Sequence, residues 1–146
     1  MQNKEGCIKL VMGSELVRIR RMGTPIQTLS DIYKIENGPE REVARYYLDQ
    51  GKEVIHEPFD IVVFRGKNAL RGTKPDFEIF DPEDGSITIV EVTESDGNCP
   101  KGKQRDLVTM VFPFYKFEIL RRPELIGLQQ KNPQYRFLSE RQILAA

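Results

Sequence analysis

The chain is poor in several residue types that mark whole classes of protein. Its 146 residues include no tryptophan, one histidine and two cysteines. Cys7 and Cys99 lie far apart and outside any Cys-x-x-Cys pair, which excludes a zinc knuckle, and reduced thiols are expected ahead of a single disulfide. No apolar run approaches the roughly 18 residues of a membrane-spanning helix. The N-terminal residues also lack the apolar stretch of a secretory signal. These absences predict a cytoplasmic protein without a membrane partner.

Net charge is lacking as well, because 22 basic and 22 acidic residues cancel. The charges are nevertheless unevenly distributed along the chain. Residues 75–100 contain eight acids and no Lys or Arg, whereas residues 65–74 contain four basic residues and no acid, and Lys101, Lys103 and Arg105 follow. An acidic centre between basic flanks suits a site that holds a cation and receives a polyanion. The alternative is that these charge runs are solvated loops.

An ordinary composition, 39% hydrophobic and 30% charged, predicts one globular domain over residues 1–146. Helical spacing of apolar residues, with a proline in the first turn, predicts a main helix over residues 40–50. Turn residues predict a hairpin over 7–22. The other predicted segments are a short helix near 30–31, extended chain over 54–64, a basic loop over 65–74, strands over 76–81 and 86–93, a helix over 103–112, a strand over 115–120, a helical turn over 123–131, and a strand over 135–139 before a terminal helix. This order predicts a mixed α/β fold with a central sheet flanked by helices.

Two acids of the hairpin that turns at residues 82–85 are candidate site residues. If residues 81 and 86 close this turn, Asp76 falls directly opposite Glu91, with β carbons about 4.5–5.5 Å apart. Two carboxylates at that separation repel each other unless a cation compensates, and their hard oxygens suit Mg²⁺, with Mn²⁺ as a substitute. A bulge at the turn would shift this register by one residue.

Solvation of both acids at strand ends is the alternative for this pair. The strand that carries Glu91 is, however, strongly apolar, with Ile87, Ile89, Val90 and Val92. An acid in a buried strand requires a compensating partner. The pattern therefore favours a site over two solvated acids.

Pro75-Asp76, followed after a gap by Glu91-Val92-Thr93, resembles the PD-(D/E)xK motif of the restriction-endonuclease-like nucleases. Residues 39–51, from Pro39-Glu40 to Gly51, are similar to the first helix of archaeal Holliday-junction resolvases. The likeness covers about residues 38–106 and implies a restriction-endonuclease-like core over about 38–120. It further implies metal-dependent hydrolysis of phosphodiester bonds, in DNA before RNA. The expected partner is nucleic acid, in a homodimer or a larger nucleoprotein complex. The metal ligands that it implies are Glu40, Asp76, Glu91 and the Val92 carbonyl.

One position departs from the family pattern. The lysine that normally lies two residues after the second acid is Thr93 here. Lys101 and Lys103 on the following predicted helix are the candidate replacements, and Lys103 is preferred. The first alternative is an inactive nucleic-acid-binding or assembly module on the same fold. The second is a protein-interaction domain whose resemblance to nucleases is accidental.

Two further groups of residues are open to two interpretations each. His56, the only histidine, is predicted to be a packed or surface residue rather than a general base. Arg18, Arg20 and Arg21 on a predicted strand are placed either to contact phosphates or to be solvated.

Overall fold

The computed structural model describes residues 6–93 and 101–139, without the side chain of residue 101. Its strands are β1 Cys7–Met12, β2 Glu15–Arg21, β3 Thr24–Pro25, β4 Glu53–His56, β5 Phe59–Arg65, β6 Asn68–Thr73, β7 Phe77–Phe80, β8 Ile87–Val92 and β9 Lys116–Leu120. Its helices are α1 Leu29–Tyr33, α2 Gly38–Asp49, α3 Lys101–Val111 and α4 Arg122–Lys131. None of these helices has the length and apolar composition needed to cross a membrane.

The strands form two open sheets. The antiparallel sheet has the order β1-β2-β5-β6, and the mixed sheet has the order β3-β4-β7-β8-β9 with β8 and β9 parallel. The chain crosses from the mixed sheet to the antiparallel sheet at Glu57 and Pro58, between β4 and β5. The predicted mixed α/β class is therefore confirmed, but the described strands form two sheets where the sequence indicated one.

Two apolar clusters lie on opposite faces of the mixed sheet. On one face α1, α2 and α4 pack against the sheet, and the cluster there includes Val43, Tyr47, Phe77, Val90 and Leu125. On the other face Ile89 meets α3 and the inner side of the antiparallel sheet, in a cluster with Val17, Phe59, Ile61, Leu107 and Val108. The mixed sheet is thus covered on both sides, and a polar side chain buried in it has to be explained.

The main helix, α2, begins two residues before its predicted start. The Asn37 side chain accepts a hydrogen bond from the Glu40 N–H at 3.0 Å, and Pro39 lies in the first turn. Both features satisfy or remove N–H groups that a helix start leaves unpaired. Buried Val43, Ala44 and Tyr47 fix this helix on the mixed sheet, so Glu40 is held near the sheet end.

Strand predictions failed at two segments and succeeded at the first hairpin. Within the predicted hairpin 7–22, residues 7–21 form β1 and β2 around a turn at Gly13-Ser14. The predicted loop 65–74 instead contains β6, an edge strand with five exposed residues out of six. An edge strand without a buried face has no alternating apolar pattern from which it could be predicted.

The predicted strand 135–139 is irregular chain in the structure. Gln129 takes the place of a neighbouring strand there, because its side chain accepts from the Phe137 N–H at 2.9 Å and donates to the Tyr135 carbonyl at 2.6 Å. Tyr135, Phe137 and Leu138 are buried, so their apolar character reflects core packing without a strand. The predicted terminal helix lies outside the described residues.

Candidate active site

The register of β7 and β8 is the one that the turn at residues 82–85 predicted. Phe77 pairs with Val90 and Phe80 with Ile87. Extending this ladder by one pair places Asp76, which immediately precedes β7, opposite Glu91 in β8. Directly opposed residues share a face of the sheet. The two acids of the motif-like segment therefore come from neighbouring antiparallel chain segments at one end of the mixed sheet.

Asp76 is held in place by backbone contacts on both sides. Its carboxylate oxygen Oδ2 accepts a hydrogen bond from the Val92 N–H at 2.7 Å, and its carbonyl accepts from the Glu57 N–H at 2.8 Å. Hydrogen bonds to a carboxylate are stronger than those to neutral acceptors, so this bond ties the start of β7 to the end of β8. The contact concerns the N–H of Val92, whereas the sequence resemblance assigned a role to its carbonyl.

Glu40 and Asp76 line the same cleft of about 350 Å³. We call it the acidic cleft, and its lining consists of Ile35, Glu36, Asn37, Glu40, His56, Glu57 and Asp76. Glu40 comes from the first turn of α2, more than thirty positions before Asp76 in the sequence. Glu42, by contrast, faces away and bonds to Arg45 at 2.8 Å. Of the two acids in the first turns of α2, only Glu40 belongs to this cleft.

His56 and Glu57 are cleft residues that sequence reasoning did not select. His56 Nε2 lies 3.9 Å from Glu40 Oε1, and its ring lies 5.3 Å from that of buried Phe77. Glu57 is the one non-glycine residue among those described with a positive φ, 49°. A left-handed backbone at a non-glycine residue is often found at functional sites. The only signal in the sequence was that His56 is the sole histidine.

Glu91 lies inside the mixed sheet with 0% of its surface exposed. Its neighbour in β9 is the buried Ile119, and two residues before it Ile89 belongs to the cluster under α3. Ionised carboxylates are almost never fully buried without compensation. The interpretation of both acids as solvated strand ends is therefore wrong for Glu91.

The donor chemistry of Glu40, Asp76 and Glu91 fits a hard divalent cation, because all three supply carboxylate oxygens and Mg²⁺ prefers oxygen ligands. Glu40 and Asp76 share the acidic cleft, and Glu91 lies across the ladder from Asp76. Within residues 6–93 and 101–139, no three His, Cys, Asp or Glu side chains are gathered closely enough to hold a metal ion as they stand. These residues therefore fit a divalent cation by the chemistry of their carboxylates and by their location at the same end of the mixed sheet.

The structure does not bring Lys103 into the acidic cleft. Lys103 is exposed and lines a separate depression of about 300 Å³ with Arg71, Asp106, Leu107 and Met110. Helix α3 begins at Lys101, two residues before its predicted start, so Lys103 lies within the helix. The side chain of Lys101 lies outside the described residues.

Comparison with protein-family models, with curated proteins and with solved structures gives no match for this chain. Its functional interpretation therefore rests on the geometry above.

Proposed function

We propose that this chain is a metal-dependent nuclease that hydrolyses phosphodiester bonds, with DNA preferred over RNA, on a restriction-endonuclease-like core. The observation that carries the proposal is the β7–β8 register, which sets Asp76 across from buried Glu91. Glu40 in the same cleft as Asp76 adds a third carboxylate from a separate element. A mixed sheet with α2 on one face and α3 on the other supports the proposed core.

Each protein residue has a defined part in the proposed reaction. Glu40, Asp76, Glu91 and the Val92 carbonyl would hold one or two Mg²⁺ ions. When bound, such an ion lowers the pKa of a coordinated water and neutralises charge on the scissile phosphate. The Val92 N–H orients the Asp76 carboxylate through the bond to Oδ2. His56 packs on Phe77 and limits the freedom of Glu40.

The residue proposed to replace the missing motif lysine differs from the one preferred from the sequence. Because Lys103 lines a different depression, we propose Lys101 at the start of α3 as the compensating cation. A preorganised positive charge near the phosphate contributes about 100-fold or more to the rate. Lys101→Ala is expected to reduce cleavage by at least that factor, and Lys103→Ala by much less. Equal losses in the two variants would reject this assignment.

The proposal is tested by cleavage of labelled duplex, branched and single-stranded DNA with Mg²⁺ or Mn²⁺. Asp76→Asn should abolish cleavage, and the matched control Asp106→Asn should not, because the Asp106 side chain is 79% exposed on α3. Undiminished activity in Asp76→Asn would remove this residue from the site. Metal binding by the wild type without cleavage of any substrate would favour the alternative of an inactive nucleic-acid-binding module.

A further inference from the structure

One face of the antiparallel sheet carries several cations and is not covered by any other element among the described residues. In β2, Val17 and Ile19 point inward, so Arg18 and Arg20 point outward. Lys9 pairs with Arg18 across β1 and β2, and on the other side Arg18 pairs with Val62 of β5. No described helix packs on this side, since α3 and the apolar cluster lie under the inner side. We call this surface the outer face, and its main residues are Lys9, Arg18, Arg20, Asp60, Val62 and Phe64.

Positive charge dominates the outer face although the whole chain is neutral. Asp60 is its one acid among these residues, and it is neutralised by Arg20, whose Nε donates to Oδ1 at 3.1 Å. This partner holds the pKa of Asp60 below its usual value. Neither Arg18 nor Lys9 forms an ion pair with any described residue; Lys9 is exposed, whereas Arg18 is partly buried and its buried Nε has no hydrogen-bond acceptor in the described part of the chain. The face therefore offers two uncompensated charges to an anionic partner.

Aromatic and apolar surface lies between these charges. The guanidinium carbon of Arg18 lies 5.2 Å from the centre of the Phe64 ring, and Phe64 and Val62 are partly exposed. Rings and guanidinium planes on an open sheet are platforms on which unpaired bases stack, while neighbouring cations contact the backbone phosphates. A duplex buries its base faces and makes no use of such a platform. The combination therefore favours a single strand over a duplex.

The outer face leads to the acidic cleft. Extending the pairing of β5 with β6 by one position sets Lys74 opposite Asp60 on the same side as Arg20. Lys74 Nζ lies 2.8 Å from Glu57 Oε2, and Glu57 lines the cleft beside Asp76. Successive outward positions on a strand lie about 7 Å apart, and neighbouring strands about 5 Å apart. The basic side chains of Arg18, Arg20 and Lys74 therefore span roughly 17 Å along the outer face.

From this placement we propose that the outer face binds single-stranded DNA and directs it to Asp76. The inference rests on the proposed nuclease function and names the form of its substrate. Arg18 and Lys9 contact phosphates, Phe64 stacks a base, and the strand passes Lys74 into the acidic cleft.

Binding is tested without catalysis, in EDTA, by fluorescence anisotropy with a labelled 15-nucleotide oligo(dT) and a duplex of equal length. Arg18→Glu should weaken single-strand binding at least about tenfold at low salt. The control Lys131→Glu makes the same charge change at the exposed end of α4, on the far side of the mixed sheet, and should change binding less than about twofold. Arg18→Gln should lower the slope of log K against log salt by about 0.7, the value for one lost phosphate contact. Phe64→Leu should weaken single-strand binding about fivefold or more through lost stacking.

Equal effects of Arg18→Glu and Lys131→Glu would overturn the assignment of this face, as would a wild type that does not bind the single strand. Tighter binding of the duplex than of the single strand would overturn the assignment of single-stranded DNA as the ligand. Arg18→Gln repeats the test if Arg18→Glu does not fold. If the wild type binds single strands through Arg18 but cleaves nothing with metal, the nuclease function fails while the binding face stands. If the wild type cleaves DNA with metal and Arg18→Glu changes neither binding nor cleavage, the binding face fails while the nuclease function stands.

Discussion

Replacing Asp76 separates its structural role from its proposed metal role. Asp76 Oδ2 accepts the Val92 N–H at 2.7 Å in a partly buried position at the end of β8. Asp76→Ala leaves this N–H without its acceptor, which is expected to cost about 1–3 kcal/mol in the free energy of unfolding. Asp76→Asn retains an oxygen that accepts the same bond, so less than about 1 kcal/mol should be lost. The two variants remove the same charge, and only Asp76→Ala removes the acceptor of the Val92 N–H.

Urea unfolding in EDTA measures this difference without any metal. The Asp76→Ala midpoint should fall clearly below that of Asp76→Asn with an unchanged slope, and in thermal unfolding each kcal/mol should lower Tm by about 2–4 °C. The exposed Asp106→Ala is the control and should stay within about 0.5 kcal/mol of the wild type. Equal stability of the alanine and asparagine variants would refute the anchoring role of the Val92 bond.

The same proteins then report on the metal. Mg²⁺ or Mn²⁺ should raise the wild-type Tm, because an ion that binds only the folded state stabilises it by mass action. Asp76→Asn and Asp76→Ala should both lose this increase, although only one of them loses the hydrogen bond. An identical metal response in wild type and Asp76→Asn would exclude the Asp76 carboxylate as a ligand.

Three further predictions concern stability. Leu125→Ala should cost about 2–5 kcal/mol in urea unfolding, since Leu125 of α4 is fully buried in the first core cluster; a smaller loss would mean that α4 is not part of that core. Asp31 accepts two backbone N–H bonds, which lower its pKa, so its stabilising effect over Asp31→Ala should be present above about pH 4 and lost as the pH falls through the lowered pKa. An unchanged difference between these two proteins at pH 2 and pH 6 would contradict this. Burial and the bond to Asp49 raise the pKa of Tyr135 to about 12, so the advantage of wild type over Tyr135→Phe should be complete below about pH 10 and decline as the pH rises to 12, in unfolding experiments across that range.

The predicted pair of Asp76 and Glu91 shows that local sequence can determine the register of two strands. Pro82 and Gly85 enclose a turn in which the Asp81 side chain accepts the Glu83 N–H at 2.9 Å and the Asp84 side chain accepts the Ser86 N–H at 2.8 Å. Such contacts form within a few residues, so the turn specifies its own geometry and hence the register of the strands that it joins. The opposition of Asp76 and Glu91 was therefore predictable. The start of α2 was predictable within two residues for the same reason, because its cap and proline are local.

Tertiary structure alone decided the rest of the candidate site. His56 meets Glu40 because α2 docks on the face of the mixed sheet that carries Phe77, and no spacing along the chain encodes that approach. Lys103 was preferred as the replacement lysine because of its place on the predicted helix and the family resemblance, but the structure places it in a separate depression on α3. Strand β6 and the buried irregular segment at Tyr135 also depended on partners far along the chain. Periodicity reports which side of an element is buried, whereas the identity of the neighbour is set by packing between elements that are distant in sequence.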